Sequence, residues 1–455
     1  MDKPEKPENV KKENGELKDN DSTNDSLGET AHISSDITLQ SYFNLLLLQN
    51  QNIKIDAPFP KYLAEHELIN VYPKTKKEIF KDFEIKDNEG VSCKNDEINK
   101  RQSGVFAEIF KQFAKNLFKL GNISLSLPIR VFEPRSMLER FVDWWCFAPI
   151  LLKKASEQND FIEAFKLAIV FAISGLFFST NQLKPFNPLL GETFQGNFED
   201  GTEVYLEHTS HNPCISHYFL QDKNKNYRYS GFLDLSLEGT LKMLATNSTV
   251  LIQKGKNTIY LKNTDQTINF QYPKIHVGGM VMGSRVIYWG GHMIFEDRKY
   301  NLKANICFAK SHPEIKKKRI HDFYGQIFFH DFSKDIKVNF YEPTLHKDAF
   351  PKEKNYKLCE ITGSWLEKIS FDDKVYWNFT ENTPVQLIPE KNNVIPSDAR
   401  YREDLIWLKR SVLFKEHKNS FEEYAQKWKL LLELQQRHER ELREKKQINK
   451  KSNLY

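Results

Sequence analysis

The sequence predicts a mainly β fold with flanking α-helices, and two observations support this prediction. From residue 193 to about 375 the chain is a succession of short β-branched and aromatic runs, separated by Asn, Asp, Gly and Lys turns. Helical patterns occur only before this region and after residue 400. Many strands in succession, with no helices between them, predict a large antiparallel sheet or barrel.

The composition supports a globular protein and argues against a nucleic-acid partner. Of 455 residues, 34 are Phe and 18 are Tyr, which suits strands and apolar cavities. The net charge is only +5, too small and too evenly spread for a nucleic-acid-binding face. The cysteines lack CxxC spacing, which predicts neither a disulfide framework nor a zinc module but a reduced, cytoplasmic protein. They occupy positions 93, 146, 214, 307 and 359.

The two ends of the chain differ from its centre. Residues 1–35 are polar and charged, which predicts a disordered tail and no signal peptide. Residues 36–102 form an N-terminal extension without a clear structural pattern, which could dock on the core or act as an interaction arm. We interpret the tract around Phe83 within it as a solvated charge run. Residues 441–455 are a basic tail.

An amphipathic helix is predicted over residues 105–120. Its apolar stripe lies on the side opposite to Lys111, Lys115 and Lys119, and the helix ends at Gly121. A core-facing helix and a membrane-touching helix are both compatible with this pattern. The stripe consists of Phe106, Ile109, Phe110, Phe113, Leu117 and Phe118.

A helical segment is predicted over 136–180, with Ser136 as candidate N-cap and an interruption at Pro149. Its apolar run, 167–178, is too short to cross a bilayer and predicts a buried core helix. Strands are predicted in the runs beginning at Gly231, Thr258 and Thr267, and in the longer runs 285–297 and 299–310. Glycines within this region predict bends in curved strands, at positions 278, 279, 283, 290 and 291.

Two motifs lie next to the start of the strand region. Residues 184–192 read KPFNPLLGE, and residues 207–214 read EHTSHNPC. Together they resemble the signature of the oxysterol-binding-protein family, in a short form without a pleckstrin-homology domain. The first motif matches the family pattern at every position. The second resembles Glu-Gln-Val-Ser-His-His-Pro-Pro, with His211 at the first histidine and Asn212 in place of the second.

The resemblance implies an architecture and a function for residues 103–440. It implies a large antiparallel β-barrel that encloses a lipid tunnel, closed by the 105–120 helix as a lid and followed by a C-terminal helix. Family members are cytosolic carriers of one sterol or phospholipid. The implied function is exchange of that lipid with phosphatidylinositol 4-phosphate between membranes, which the protein would contact only peripherally. No cofactor is implied.

The resemblance also implies a headgroup site. Lys184 offers a point charge and Asn187 a neutral amide within one proline-restricted turn. Lys429, Glu433 and Arg437 are spaced i, i+4, i+8 and share a helical face, as in the family. With His211 and Asn212, these residues are expected to surround a phosphorylated headgroup. Asn212 can donate a hydrogen bond but cannot carry charge, which weakens the site without abolishing it.

The sequence bears on three other functions. His208, His211, Cys214 and His217 recur every three residues, but side chains at that spacing on a strand alternate between faces, which argues against zinc. The sequence contains no nucleophile elbow, P-loop or dinucleotide fingerprint, and we predict no enzyme activity. A lipid sensor or scaffold that regulates a partner through residues 1–100 remains the alternative function.

Overall fold

The structure, a computed structural model, describes residues 81–105, 107–109, 111, 127–211, 213–237, 243, 245–334, 350, 356–389, 426, 429–430, 433, 437 and 440–446. Contacts divide the chain into two units, 1–54 and 55–455, and every described residue belongs to the second. The predicted tail 1–35 and most of the basic tail 441–455 lie outside the described residues.

Within the described residues, seventeen strands form one sheet in which all pairings are antiparallel, and two more strands pair in parallel. The mainly β prediction is therefore confirmed. The strands are β1 (Phe83–Lys86), β2 (Gly90–Cys93), β3 (Phe132–Ser136), β4 (Lys184–Phe186), β5 (Thr193–Phe198), β6 (Glu203–Ser210), β7 (Cys214–Gln221), β8 (Tyr227–Leu237), β9 (Ser248–Lys254), β10 (Asn257–Leu261), β11 (Gln266–Phe270), β12 (Lys274–Gly278), β13 (Val286–Asp297), β14 (Leu302–Phe308), β15 (Asp322–Phe329), β16 (Lys357–Ser364), β17 (Lys368–Phe371), β18 (Lys374–Asn378) and β19 (Leu387–Pro389).

The sheet is a meander that branches once and rejoins. β8 pairs with β10 through 227–231 and with β9 through 234–237. β13 pairs with β12 through 286–290 and with β11 through 295–297. The two branches thus begin on one strand and end on another. The predicted runs coincide with β8, β10, β11, β13 and β14.

The two ends of the meander are joined by a short piece of chain. β19 pairs with β5 at the start of the meander, and residues 379–386 link it to β18 at the end. A connection of that length spans at most roughly 30 Å. The sheet therefore curves back towards its own start, as the strands of a barrel do.

Glycines allow the bends that this curvature needs. Gly291 has φ +84° and lies where β13 passes from the stretch paired with β12 to the stretch paired with β14. Gly279 has φ +66°, and a Cβ there would lie 2.2 Å from the carbonyl oxygen of Ser284. Residues with a side chain adopt this backbone region only with strain, so the predicted bend is confirmed at Gly291, within β13, whereas Gly279 lies after β12 in the loop to β13.

The described helices are α1 (Asp96–Gln102), α2 (Met137–Asp143), α3 (Ala148–Ser156) and α4 (Phe161–Ser174). The helices α2, α3 and α4 contribute buried residues to the main core together with the strands, whereas α1 buries none of its residues. Ser136 is the N-cap residue of α2, and Pro149 lies in the first turn of α3. Both positions agree with the predicted start and interruption of the helical segment.

The apolar run 167–178 is buried throughout and belongs to the main core with Trp145 and Trp289. Among the described residues, one helical run, Phe161–Thr180, passes a length and composition test for a membrane span, and 78% of its tested window is buried inside the protein. Such burial is typical of a core helix, which is what the sequence predicts for this segment.

The sheet begins earlier than expected, within the extension 36–102. β1 and β2 form a hairpin, and Val91 of β2 faces Ile287 of β13. Phe83 packs against the core although Glu84 and Ile85 are exposed. The charges of this tract are solvated, as interpreted, since Glu84 and Glu89 are exposed, but the tract also forms a strand that the sequence did not predict. An edge strand tolerates charges because one of its faces remains in water.

The helix predicted over residues 105–120 lies within the described residues only at its start. Residues 105, 107–109 and 111 are helical; Val105 is buried and Ile109 is partly buried. Glu108 forms an ion pair with Arg130, which fixes this first turn beside the segment that precedes β3. The remaining lid residues, Phe106, Phe110, Phe113 and Leu117, lie outside the described residues.

Candidate functional site

The two sequence motifs are joined through their backbones. Gly191 donates its N–H to the carbonyl of His208 at 2.8 Å, and the N–H of His208 donates to the carbonyl of Glu192 at 2.9 Å. The carboxylate of Glu192, which is buried, accepts the N–H of Leu189 at 2.9 Å. The Pro-rich turn that follows Lys184 is therefore held against β6, and the motifs act as one structural unit.

Lys184 opens β4 and faces Phe132 in the parallel β3–β4 pair. Its Nζ donates to Asn187 Oδ1 at 2.9 Å and to the Pro185 carbonyl at 3.0 Å. The same Nζ lies 4.9 Å from the ring centre of Phe132, which stacks on Phe186 at 4.5 Å. A cation over an aromatic face is attracted by the ring quadrupole, so the ammonium has a defined position.

The C-terminal helix brings further cations to this ring. Lys429 Nζ lies 5.3 Å from the ring centre of Phe132, and only 1% of the residue is exposed. Glu433 forms ion pairs with Lys429 and with Arg437, whose Nη2 lies 3.1 Å from the carboxylate. Glu433 therefore orients two cations, and Lys184 and Lys429 meet at one ring.

A buried ionic cluster anchors the strand that carries Phe132. Arg135 donates to both carboxylate oxygens of Asp143, at 3.0 and 2.7 Å. Arg140 lies 3.5 Å from Glu133 and donates to the Phe178 carbonyl. These ion pairs connect β3 to α2 inside the protein, and loss of one partner would leave a costly unpaired charge there.

His211 lies in the turn between β6 and β7. Its Nδ1 is 3.2 Å from Nε2 of His208, whose Nδ1 is 3.0 Å from Ser216 Oγ. Burial, followed by the field of Arg440 and Arg443, lowers the pKa of His211. Burial and His211 lower the pKa of His208 to about 4. Both imidazoles are thus held neutral at pH 7, beside two arginines of the C-terminal helix.

The predicted alternation of these side chains between strand faces is wrong for His208 and His211. His208 and His211 do meet, because β6 ends at Ser210 with an irregular register and His211 follows in a turn. His217 instead bonds to Thr209 Oγ1 at 2.8 Å. Within the part of the chain that the structure describes, no group of three or more His, Cys, Asp or Glu side chains could hold a metal ion.

The structure places most of the predicted site residues within three adjoining segments. Lys184 and Asn187 bond to each other, Lys429 and Arg437 bind Glu433, and His211 lies on the turn joined to the first motif. The field of Lys184 reaches Cys214, where it opposes the burial that raises the thiol pKa. Asn212 lies outside the described residues.

Sequence reasoning missed three members of this arrangement, Phe132, Arg440 and Arg443, and it considered His208 without assigning it a contact with His211. Phe132 directly precedes residues 133–136 (EPRS), which lead into the predicted helical segment. This position in the sequence is the signal that could have drawn attention to Phe132. Arg440 follows Arg437 at i+3 on the same helix, a spacing that extends the predicted face. Chemically, the cations and neutral donors together can bind a phosphorylated group.

Comparisons with known proteins identify the family. A model of the family described as "Oxysterol-binding protein" matches residues 112–455. The chain is 32% identical over 349 residues to oxysterol-binding protein 9 of Dictyostelium discoideum, covering 75% of this chain and 76% of that protein. It is 22% identical over 293 residues to oxysterol-binding protein-related protein 5 of Mus musculus, covering 62% of this chain but only 30% of the mouse protein.

Two solved structures share the fold. The Osh3 ORD of Saccharomyces cerevisiae, in complex with PI(4)P, superposes with a TM-score of 0.53 at 23% identity, over 74% of this chain and 84% of that chain. The Osh1 ORD domain, in complex with cholesterol, gives 0.51 at 17% identity, over 90% and 89%. Together with the family model, which covers most of the sequence, these findings show that the chain belongs to the oxysterol-binding protein family.

Proposed function

We propose that this protein is a cytoplasmic lipid-transfer protein. It binds one sterol or phospholipid inside the barrel and exchanges that lipid with phosphatidylinositol 4-phosphate between two membranes. The convergence of Lys184 and Lys429 on Phe132, beside Arg437, is the observation that carries this proposal. The relatives supply support, since one neighbouring structure contains PI(4)P and another contains cholesterol.

The cation cluster suits a phosphate monoester. Lys429 is almost fully withdrawn from water, and the carboxylate of Glu433 with which it forms an ion pair is shared with Arg437. Such a phosphate carries between one and two negative charges at pH 7 and offers three strong acceptor oxygens. Lys184 and Arg437 would donate to these oxygens, and Asn187 would orient the headgroup through its neutral amide.

The second ligand would be held in another way. An apolar lipid body gains about 25 cal/mol for each Å² of surface withdrawn from water, whatever its detailed structure. The strands contribute apolar and aromatic side chains to the protein interior, among them Leu233, Ile275 and Trp289. Sterol and phospholipid tails are both compatible with such an interior, and headgroup contacts would separate the phosphoinositide from its exchange partner.

Exchange requires access from a membrane. The helix that begins at Val105 would open at a membrane surface and release the bound lipid down its gradient. The lysines at positions 111, 115 and 119 would add a weak attraction to anionic lipid. Membrane contact in this mechanism is transient and peripheral.

Two measurements test the proposal. Mass spectrometry of lipids that copurify with the protein should find a sterol or phospholipid at about one molecule per chain. Liposomes that contain phosphatidylinositol 4-phosphate should exchange it with acceptor liposomes when the protein is added. A protein that binds both lipids but moves neither is a sensor or scaffold, and the transfer function is then rejected.

A further inference from the structure

The contacts of His208 point to a role that the family motif does not assign to this position. We propose that His208 is a positioning residue that supplies the second imidazole of the headgroup site, in place of the histidine replaced by Asn212. It would accept a hydrogen bond from His211 when a bound phosphate makes His211 cationic. This inference rests on the proposed phosphoinositide function.

The geometry fixes His208 on every side. Its backbone N–H and carbonyl both bond to the first motif, at Glu192 and Gly191. Its ring is fully buried and faces Ser216 across the β6–β7 pair. The rings of His208 and His211 are perpendicular, with centres 5.4 Å apart. A ring held so tightly offers one lone pair or one N–H to His211 in a defined direction.

At pH 7 His208 is in a protonation state in which it can accept a hydrogen bond from His211. Its pKa of about 4 leaves it neutral at pH 7, with one ring nitrogen donating and the other accepting. If Nδ1–H donates to Ser216 Oγ, Nε2 is free to accept Nδ1–H of His211. A cationic His211 needs this arrangement, because both of its nitrogens then carry protons. The hydroxyl of Ser216 can rotate to suit either tautomer of His208.

Charged groups around His211 make its protonation depend on the ligand. Among the described residues, His208, Arg440 and Arg443 face His211, and the two arginines disfavour its cationic form. The backbone carbonyl of Pro188 favours it. A phosphate bound next to the arginines would offset their field. Binding would then transfer one proton from solvent to His211 without making or breaking any bond in the lipid.

Calorimetry with the full chain can measure this proton. Binding of dioctanoyl phosphatidylinositol 4-phosphate at pH 7, in two buffers of different ionisation enthalpy, gives the number of protons taken up. The phosphate can release part of a proton of its own, since its second pKa is about 6. The His211→Gln variant reports that release alone. The wild type should take up more protons than this variant.

The His208→Phe variant should lower proton uptake to the level of His211→Gln and weaken binding about tenfold, as expected for loss of a hydrogen bond to a charged group. His208→Gln retains an amide oxygen as acceptor and should keep part of the uptake and affinity. Wild-type affinity and proton uptake in His208→Phe would overturn the inference while leaving the proposed function intact. Failure of the wild type to bind the lipid would reject the proposed function itself.

A measurement on the wild type covers the case in which the variants do not fold. Nitrogen chemical shifts of the histidine rings should move to imidazolium values at His211 when the lipid is added. His208 should remain neutral, with its proton on Nδ1. A neutral His211 in the saturated complex would show that His208 has no cation to accept from, and the inference would be rejected.

Discussion

The ammonium of Lys184 lies 4.9 Å from the ring centre of Phe132, in a pair of parallel strands that stands apart from the main sheet. Lys429 approaches the same ring from the C-terminal helix. One aromatic side chain thus sets the positions of two cations from distant parts of the sequence. The strand that carries Phe132 is joined to α2 by the buried ionic cluster, so the positions of both cations depend on residues outside the candidate site.

Removing a cation from this site should weaken phosphoinositide extraction. Lys184→Ala or Arg437→Ala deletes one charged partner from a partly desolvated site, which typically costs about 2 kcal/mol or more. Extraction of phosphatidylinositol 4-phosphate from liposomes should therefore fall at least about tenfold, and sterol extraction should hardly change. Lys262→Ala removes an exposed lysine elsewhere and serves as the control. Equal losses for sterol and phosphoinositide would point to misfolding instead of a headgroup site.

Restoring the second histidine of the motif should strengthen the site. Asn212→His introduces an imidazole that can become cationic, whereas the asparagine amide cannot. Extraction of phosphatidylinositol 4-phosphate should increase, with a larger increase at pH 6 than at pH 7.5 because imidazole is then protonated. Asn212→Gln keeps a neutral amide and should show no such pH dependence. If Asn212→His leaves phosphoinositide extraction absent while another lipid still moves, the exchange mechanism is wrong.

Charges on the apolar stripe of the lid should release the bound lipid. Replacing Phe110 and Phe113 with Asp removes apolar surface from the face expected to close the tunnel and disfavours membrane docking. Loss of a fluorescent lipid should accelerate, and binding to anionic liposomes should fall. Lys111→Ala and Lys115→Ala alter the opposite face and should affect liposome binding only. Unchanged retention in the Asp variant would leave the helix with a structural role.

Buried His208 should make the protein less stable in mild acid. Its pKa is about 4 in the folded chain against about 6.5 when unfolded, so the unfolded chain takes up the proton first as the pH falls. The stabilisation is present above about pH 6.5, is lost between pH 6.5 and 4, and amounts to on the order of 3 kcal/mol. The free energy of unfolding, measured in urea at pH 7 and at pH 4.5, should decrease less between these pH values in His208→Gln than in the wild type. Equal decreases would contradict this assignment.

Breaking the ionic cluster behind Phe132 should destabilise the fold. Asp143→Ala leaves Arg135 without its two-oxygen partner inside the protein, where removal of one member of a buried pair costs about 3–5 kcal/mol. The midpoint of urea unfolding should fall accordingly. The double variant Arg135→Met, Asp143→Leu replaces both charges with apolar groups and should be more stable than Asp143→Ala. If the double variant is no more stable than Asp143→Ala, an unpaired buried charge is not the cause of the destabilisation.

The strands and the core helix could be predicted because their patterns are local. Alternation of side chains located β8, β13 and β14, and a continuous apolar run located the buried part of α4. These properties depend on neighbouring residues and need no knowledge of partners. β1 escaped prediction because a four-residue edge strand with charged positions lacks such a pattern, and only its pairing with β2 reveals it.

The residues of the candidate site that lie within the sequence motifs could be predicted. The contacts that depend on strand register could not. The contact of His208 with His211 exists because β6 ends at Ser210 and its pairing with β7 is irregular there, so strand alternation no longer applies. The approach of Lys184 and Lys429 to Phe132 depends on how a helix packs against a strand far away in the sequence. Neither relationship is encoded in the spacing of residues along one element.

The pairing of β2 with β13 has a consequence for biosynthesis. Val91 emerges from the ribosome long before its partner Ile287, and the sheet cannot incorporate the N-terminal hairpin until β13 has been made. At ~5–20 residues per second this interval lasts roughly ten to forty seconds. Phe83 and Val91 lack their native packing partners during this time, and transiently exposed apolar residues of this kind favour misassembly.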